Sequence, residues 1–154
     1  MTPSLARPLA RVLRAWALVS RSMTLGVRLV ALNGEGQVFL VRHAYREGWY
    51  LPGGAVDPGE TAGEAALREA REEGNLECGA PLELLGVYYN RREGRDHVLL
   101  YRCDGARQTA LRQPDREIAE ARFFDPRSLP PGTTPATRRR LAEVLEGAAP
   151  SGDW

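Results

Sequence analysis

The chain contains no lysine: all 21 of its basic side chains are arginine, against 20 acidic ones and two histidines, for a formal net charge of +1. A balance so close to neutral makes no electrostatic case for a nucleic acid or an anionic membrane as partner. The arginine bias reads as codon usage in a GC-rich genome, although arginine is also the better bidentate phosphate binder. Cysteine is nearly missing too. Cys78 and Cys103 are too few and too far apart for a disulfide framework or a zinc site, which points to a reducing, cytoplasmic setting. No apolar run approaches the roughly 20 residues needed to span a bilayer. Acidic residues are absent from the first 34 positions, which carry Arg7, Arg11, Arg14, Arg21 and Arg28. An arginine-rich, acid-free start is shared by organelle transit peptides, but no small-residue cleavage signal accompanies it. In LARPLARVLRAWALVS the residues Leu9, Val12, Leu13, Trp16 and Val19 recur at helical spacing. Residues 1–22 are therefore expected to form an amphipathic helix that docks on the domain or closes a homodimer.

What is present describes one globular domain. A length of 154 residues with 43% apolar and 27% charged side chains suffices for a single core. TLGVRLVAL, NGEG and QVFLVRH read as strand, turn and strand over residues 24–42, with Asn33-Gly34 as the two-residue turn that needs positive φ. Trp49 to Val56 is a short extended piece broken by Pro52-Gly53-Gly54. Residues 61–74 are expected to be helical, opened by a capping box of Thr61 and Glu64. LELLGVYYN and HVLLYRC form a second hairpin around the turn-like RREGRD. A polar loop over about 104–116, a strand in AEARFFD and an amphipathic helix in PATRRRLAEVLEG complete the order, with residues 148–154 expected to fray. Hairpins alternating with single helices imply a mixed sheet with helices on its faces.

The densest chemistry lies in LPGGAVDPGETAGEAALREAREEGNLE, residues 51–77. On a helix advancing about 100° per residue, Glu69, Glu72 and Glu73 share one face. Like charges so placed repel each other unless a cation sits among them; the plainer alternative is a solvated acidic face. Two features favour the cation. Ala62, Ala65, Ala66 and Ala70 let the helix approach a sheet closely, and a glycine-rich turn stands directly before the helix N-terminus, a natural anion site. Clustered carboxylates beside a close-approaching backbone suit Mg²⁺ and a diphosphate. Spacing alone names no reaction.

Gly54, Glu60 after five intervening residues, Arg68-Glu69 after seven more, then Ala70, Arg71, Glu72-Glu73, Gly74, Asn75 and Leu76 resemble the Nudix box, the signature of hydrolases acting on nucleoside diphosphates linked to another moiety. Asn75 stands where that box usually has glycine. The family glycine suits a left-handed helix C-cap, a role in which asparagine is next best. The resemblance implies an α/β fold, a Nudix-type α/β/α sandwich around a mixed β-sheet, with a domain over residues 23–147. It implies Glu69, Glu72 and Glu73 as metal ligands for Mg²⁺, with Mn²⁺ as a substitute, and the Gly53 carbonyl as a further ligand. It implies Arg68 and Glu60, with Gly54, as the group that braces the loop and orients the carboxylates. Members often add an acidic residue from a late loop as ligand or general base: Glu117 is the first candidate and Glu120 the second, each with a solvated loop charge as its plainer reading.

Other positions carry weaker signals. Trp49 and Tyr50 flank the glycine turn and are candidates for stacking on a nucleobase, and strand alternation allows one of them to reach substrate while the other packs inward. His97 beside Arg95 and Asp96 is a substrate-contact candidate; His43 reads as structural. Arg91, Arg92 and Arg95 could meet phosphates or simply solvate a turn. Arg138, Arg139 and Arg140 point in three directions on a helix and make no nucleic-acid stripe. The expected activity is Mg²⁺-dependent hydrolysis of a pyrophosphate bond in a small nucleotide, an NDP-sugar such as ADP-ribose first and an oxidised nucleoside triphosphate as rival. A nucleotide-sensing module without turnover and an RNA-end hydrolase are the alternatives. The intact glutamates argue against the first, and the lack of a basic groove against the second.

Overall fold

A computed structural model describes residues 22–154 apart from 93 and 95, together with the isolated positions 13, 16 and 17. The N-terminal helix expected over residues 1–22, and the homodimer it was to close, fall almost wholly outside the described residues, as does Arg95.

Strands β1 (Thr24–Leu32) and β2 (Val38–His43) are followed by helix α1 (Ala62–Gly74), β3 (Leu76–Glu77), β4 (Glu83–Asn90), β5 (Asp96–Asp104), β6 (Arg107–Gln108), β7 (Ile118–Phe124), a 3-10 turn (Pro126–Ser128) and helix α2 (Pro135–Glu146). The main sheet runs β4-β5-β1-β2-β7. Only β1 and β5 are parallel; β4/β5, β1/β2 and β2/β7 are antiparallel. A two-stranded ribbon of β3 and β6 stands apart, so the stretch expected as a polar loop contains a short strand.

Alternation along β1 divides the core. Val27, Leu29 and Ala31 face α1, where Ala65, Ala66 and Ala70 allow close approach, while Val30 and Leu32 face Leu141 of α2. The result is a sheet between two helices, each buried large apolar side chain contributing roughly 1.5–3 kcal/mol on leaving water.

The β1/β2 turn differs from expectation. Gly34 does not take positive φ; Gly36 does, at +76°. The reason is local: the Asn33 side chain accepts from the N–H groups of Glu35 at 3.0 Å and Gln37 at 2.9 Å and so replaces the two-residue turn with a longer one. Helix α1 has its capping box, with Glu64 N–H on Thr61 Oγ1 at 3.2 Å and Thr61 N–H on Glu64 Oε2 at 2.7 Å. It ends at Asn75 in the left-handed region, φ 51° and ψ 38°, with its N–H on the carbonyls of Ala70 and Arg71. Gly74 is needed for packing instead, because a Cβ there would lie 2.6 Å from Phe39.

Residues 148–154, expected to fray, are tied down. Tyr89 N–H donates to Gly152 O at 2.9 Å and Trp154 N–H to Tyr89 O at 3.0 Å, extending the edge of β4. The physical anchor is Arg140, whose side chain is fully buried and donates to Asp153 O at 2.7 Å and to Glu143 Oε1 at 2.6 Å.

Candidate active site

Strands β1 and β2 diverge, and the segment 49–56 fills the gap between them. Tyr50 exchanges both backbone hydrogen bonds with Val41 at 2.9 Å, while Leu29 N–H reaches Pro52 O at 2.9 Å and Val27 N–H reaches Gly54 O at 2.8 Å. Gly53 sits at φ +141°, and a Cβ on it would stand 2.1 Å from Val27 O. A Cβ on Gly54 would stand 2.5 Å from Glu69 Oε1. The paired glycines are required because backbone meets strand on one side and a carboxylate on the other.

The Gly53 peptide is gripped at both ends. Its N–H donates to Glu73 Oε2 at 2.8 Å, and its carbonyl accepts from Arg28 Nη1, which also reaches Leu51 O at 3.2 Å. Helix α1 delivers the other carboxylates. Glu69 is half-buried, Glu72 exposed and Glu73 buried. Arg68 Nη1 lies between Glu69 Oε1 at 2.8 Å and Glu72 Oε2 at 3.2 Å. The rest of its guanidinium forms a two-pronged pair with Glu60, at 2.7 and 3.1 Å, and donates to Ala55 O at 3.1 Å. Glu60 in turn accepts from Asp57 N–H at 2.8 Å, so one arginine joins helix, loop and carboxylates.

Burial shapes the electrostatics. Glu73 is pushed up to about 7, by desolvation first and with Glu69 and Glu117 adding in the same direction; the Gly53 N–H and Arg28 oppose the shift. Desolvation also raises Glu69 and lowers Arg28. His43, buried beside Glu73 at 3.7 Å, is pulled down to about 4 by desolvation and by Arg46 and Arg28. Its Nε2 lies 2.7 Å from Arg46 Nη2, a permanent donor, so the ring is a neutral acceptor there and the contact with Glu73 is no ion pair.

Of the sequence-predicted residues, Gly53, Gly54, Glu60, Arg68, Glu69, Glu72 and Glu73 are brought together. Glu117 is exposed and near enough to Glu73 to affect its charge, while Glu120 is taken up by Arg42 at 3.1 Å and Arg122 at 3.0 Å. Trp49 does not reach the site: it is buried against Phe124, ring centroids 4.8 Å apart. Tyr50 faces a cleft of about 350 Å³, with the Arg46 guanidinium 4.0 Å over its ring. His97 is also displaced from expectation. Its neighbours Asp96 and Val98 line a second cleft, and strand alternation turns His97 to the other face, against Tyr89 at 5.3 Å. Arg28 and Arg46, which line both clefts, escaped the sequence reading. The available signal was Arg28 itself, a charge within the apolar strand TLGVRLVAL.

Among the described residues, no three acidic, histidine or cysteine side chains converge into a metal cluster. The donor chemistry fits a hard cation all the same. The Gly53 carbonyl accepts from the Arg28 guanidinium, and Glu69 and Glu72 both accept from Arg68, so these oxygens already meet positive charge.

Human 8-oxo-dGDP phosphatase NUDT18 is 35% identical over 126 residues, covering 80% of this chain and 38% of its own length. This chain thus spans under two fifths of that relative. A putative 8-oxo-dGTP diphosphatase of Bacillus subtilis (strain 168) is 32% identical over 126 residues, covering 81% of this chain and 82% of the relative. A MutT NUDIX hydrolase structure from Burkholderia pseudomallei superposes with a TM-score of 0.66 at 24% identity, covering 79% of this chain and 98% of that one. The NUDIX domain description matches residues 23–145, from just before β1 to the last turn of α2 and across the whole carboxylate cluster. With sheet, glycine turn and glutamate helix all inside that match, the chain belongs to the NUDIX domain family.

Proposed function

We propose that this domain is a divalent-metal-dependent pyrophosphohydrolase of small nucleotides, with oxidised purine nucleoside di- or triphosphates as its substrate class. The observation that carries the reading is Gly53, whose N–H holds Glu73 and whose carbonyl accepts from Arg28, an arginine that lines the cleft. The substrate class moves from the NDP-sugar first expected because the relatives described above act, by name, on 8-oxo-dGDP and 8-oxo-dGTP.

Glu69, Glu72, Glu73 and the Gly53 carbonyl would hold Mg²⁺ or Mn²⁺. That ion, when bound, offsets charge on the phosphate oxygens and acidifies a water. Around it, Arg68 and Glu60 fix the direction of Glu69 and Glu72 and hold the loop at Ala55. Arg28 and Arg46 bring positive charge to the diphosphate, donors that become stronger in a partly desolvated site. Glu117 accepts the proton of the attacking water, and Tyr50 with its stacked Arg46 forms one wall of the cleft. Water attacks phosphorus, the bridging P–O bond breaks, and a nucleoside monophosphate leaves from the other fragment.

The test is a panel of 8-oxo-dGTP, 8-oxo-dGDP, dGTP, ADP-ribose, a UDP-sugar and 5′-triphosphorylated RNA with Mg²⁺, scored for released products. Turnover of the oxidised nucleotides that EDTA stops and Glu72→Gln lowers about 10²- to 10³-fold is expected. Preferential turnover of ADP-ribose would return the substrate class to NDP-sugars, and binding without turnover would make the domain a sensor.

A further inference from the structure

The two clefts meet at Arg28, Arg46, Asn90 and Trp154. One, of about 480 Å³, carries Gly54 in its wall and so adjoins the carboxylate cluster. The other, of about 350 Å³, is walled by Tyr50, Leu51 and the start of α2. Trp154 is part of both, and no reading of the catalytic cluster uses it.

Its position is built with care for a residue at the end of an irregular segment. Its N–H is bound to Tyr89 O at 3.0 Å and its carbonyl accepts from Arg139 at 2.9 Å. The fully buried Arg140 donates to Asp153 O at 2.7 Å and to Ser151 Oγ at 2.9 Å. The same guanidinium lies 4.0 Å over the Tyr88 ring and 5.6 Å from the Trp154 ring, and Tyr88 meets Trp154 edge-on at 5.9 Å. The indole is therefore held against α2 and β4 by groups that lie outside the catalytic motif. It stays half-buried, with the arginines of the cleft around it. A fixed aromatic surface in a cationic cleft of this size matches a planar base attached to an anionic chain.

We propose that residues 151–154 form part of the nucleotide site and that the Trp154 ring is the stacking platform for the nucleobase, with the phosphates directed toward Arg28 and Gly54. The inference rests on the nucleotide reading above. It assigns base affinity to a segment outside the catalytic motif, braced by Arg140.

Trp154→Ala and Trp154→Phe test it through kcat and KM on the best substrate and through calorimetric affinity for dGMP, AMP and inorganic pyrophosphate. The alanine variant is expected to weaken KM and monophosphate affinity about 10- to 100-fold, with kcat within about threefold and pyrophosphate affinity unchanged, and phenylalanine to restore most of the loss. An alanine variant with unchanged nucleotide affinity overturns the proposal. So does one that loses pyrophosphate and nucleotide affinity equally, since that marks a general distortion. Trp154-dependent binding of dGMP or AMP by a protein that hydrolyses nothing would uphold the platform while removing the hydrolase reading. Failure of the unaltered protein to bind any nucleotide would remove both.

Discussion

Arg68 and Arg140 each draw carboxylate and carbonyl oxygens around one guanidinium, but in opposite surroundings. Arg68 lies at the surface of α1, with Glu72 beside it still 60% exposed at the side chain; Arg140 and Glu143 are 0% and 6% exposed. At the first cluster Glu72 remains open to a ligand, and the arginine serves to aim it and the half-buried Glu69. At the second every carboxylate oxygen near the guanidinium is shut in, and the arginine ties a chain segment to a helix. The same pair of residue types thus gives a reactive surface in one place and a brace in the other. Access to solvent decides which.

The comparison can be broken most forcefully at the brace. Arg140→Ala leaves Glu143 buried without its charged partner, with only the Tyr88 hydroxyl and the Ser151 N–H donating to it, and is expected to cost about 3–5 kcal/mol in denaturant unfolding. In folded protein KM should rise more than kcat falls. A loss under about 1 kcal/mol would mean the segment is not held this way.

Next in size is the titration of Glu73. Its folded value of about 7 exceeds the ordinary 4.5, so the fold keeps this proton longer than the unfolded chain does. Its contribution is complete below pH 4.5 and is lost as pH rises to about 7. His43, lowered from 6.5 to about 4, contributes above pH 6.5 and loses that as pH falls. The two slopes oppose each other, and metal-free protein in EDTA should be nearly flat between them. Glu73→Gln removes one slope. Its stability relative to the unaltered protein should climb from nothing near pH 4.5 to about 3 kcal/mol above pH 7. Parallel curves for the two proteins would contradict the assigned shift.

Arg68→Ala sharpens the contrast from the other side: activity should drop about 10- to 100-fold through misdirected carboxylates. Unfolding free energy should fall by about 1–3 kcal/mol, because the arginine's partners Glu60 and Glu69 are only 18% and 14% exposed at the side chain. The smallest effect belongs to Asn75→Gly, expected to leave thermal stability within about 1 kcal/mol, because glycine takes the same left-handed conformation. A larger loss would locate the value of Asn75 in its side-chain bond to Ala110 O at 3.2 Å.

Much of the motif-bearing half was legible. The capping box at Thr61 and Glu64, the common face of Glu69, Glu72 and Glu73, and the two strand pairs all follow from periods of 3.6 and 2 that act over a few residues. Trp49 and Tyr50 were legible only as a pair with one turned inward; which one depends on where β2 places the segment. The turn at Asn33 was misread because a side chain outcompeted the backbone pattern. Arg28 was visible as a charge among apolar neighbours, but its bond to the Gly53 carbonyl joins positions 25 residues apart.

Local spacing by itself determined the longer strands and the glutamate helix with its capping box, because each of these is written in contacts between near neighbours, and the resemblance of residues 54–76 pointed to the family. Tertiary structure alone decided that Arg28 and Arg46 enter the site, that His97 leaves it, and that Trp154 returns to it. Those outcomes depend on which segments a sheet brings side by side, and on the cost of burying an arginine such as Arg140 without the backbone and carboxylate partners that only a closed fold supplies.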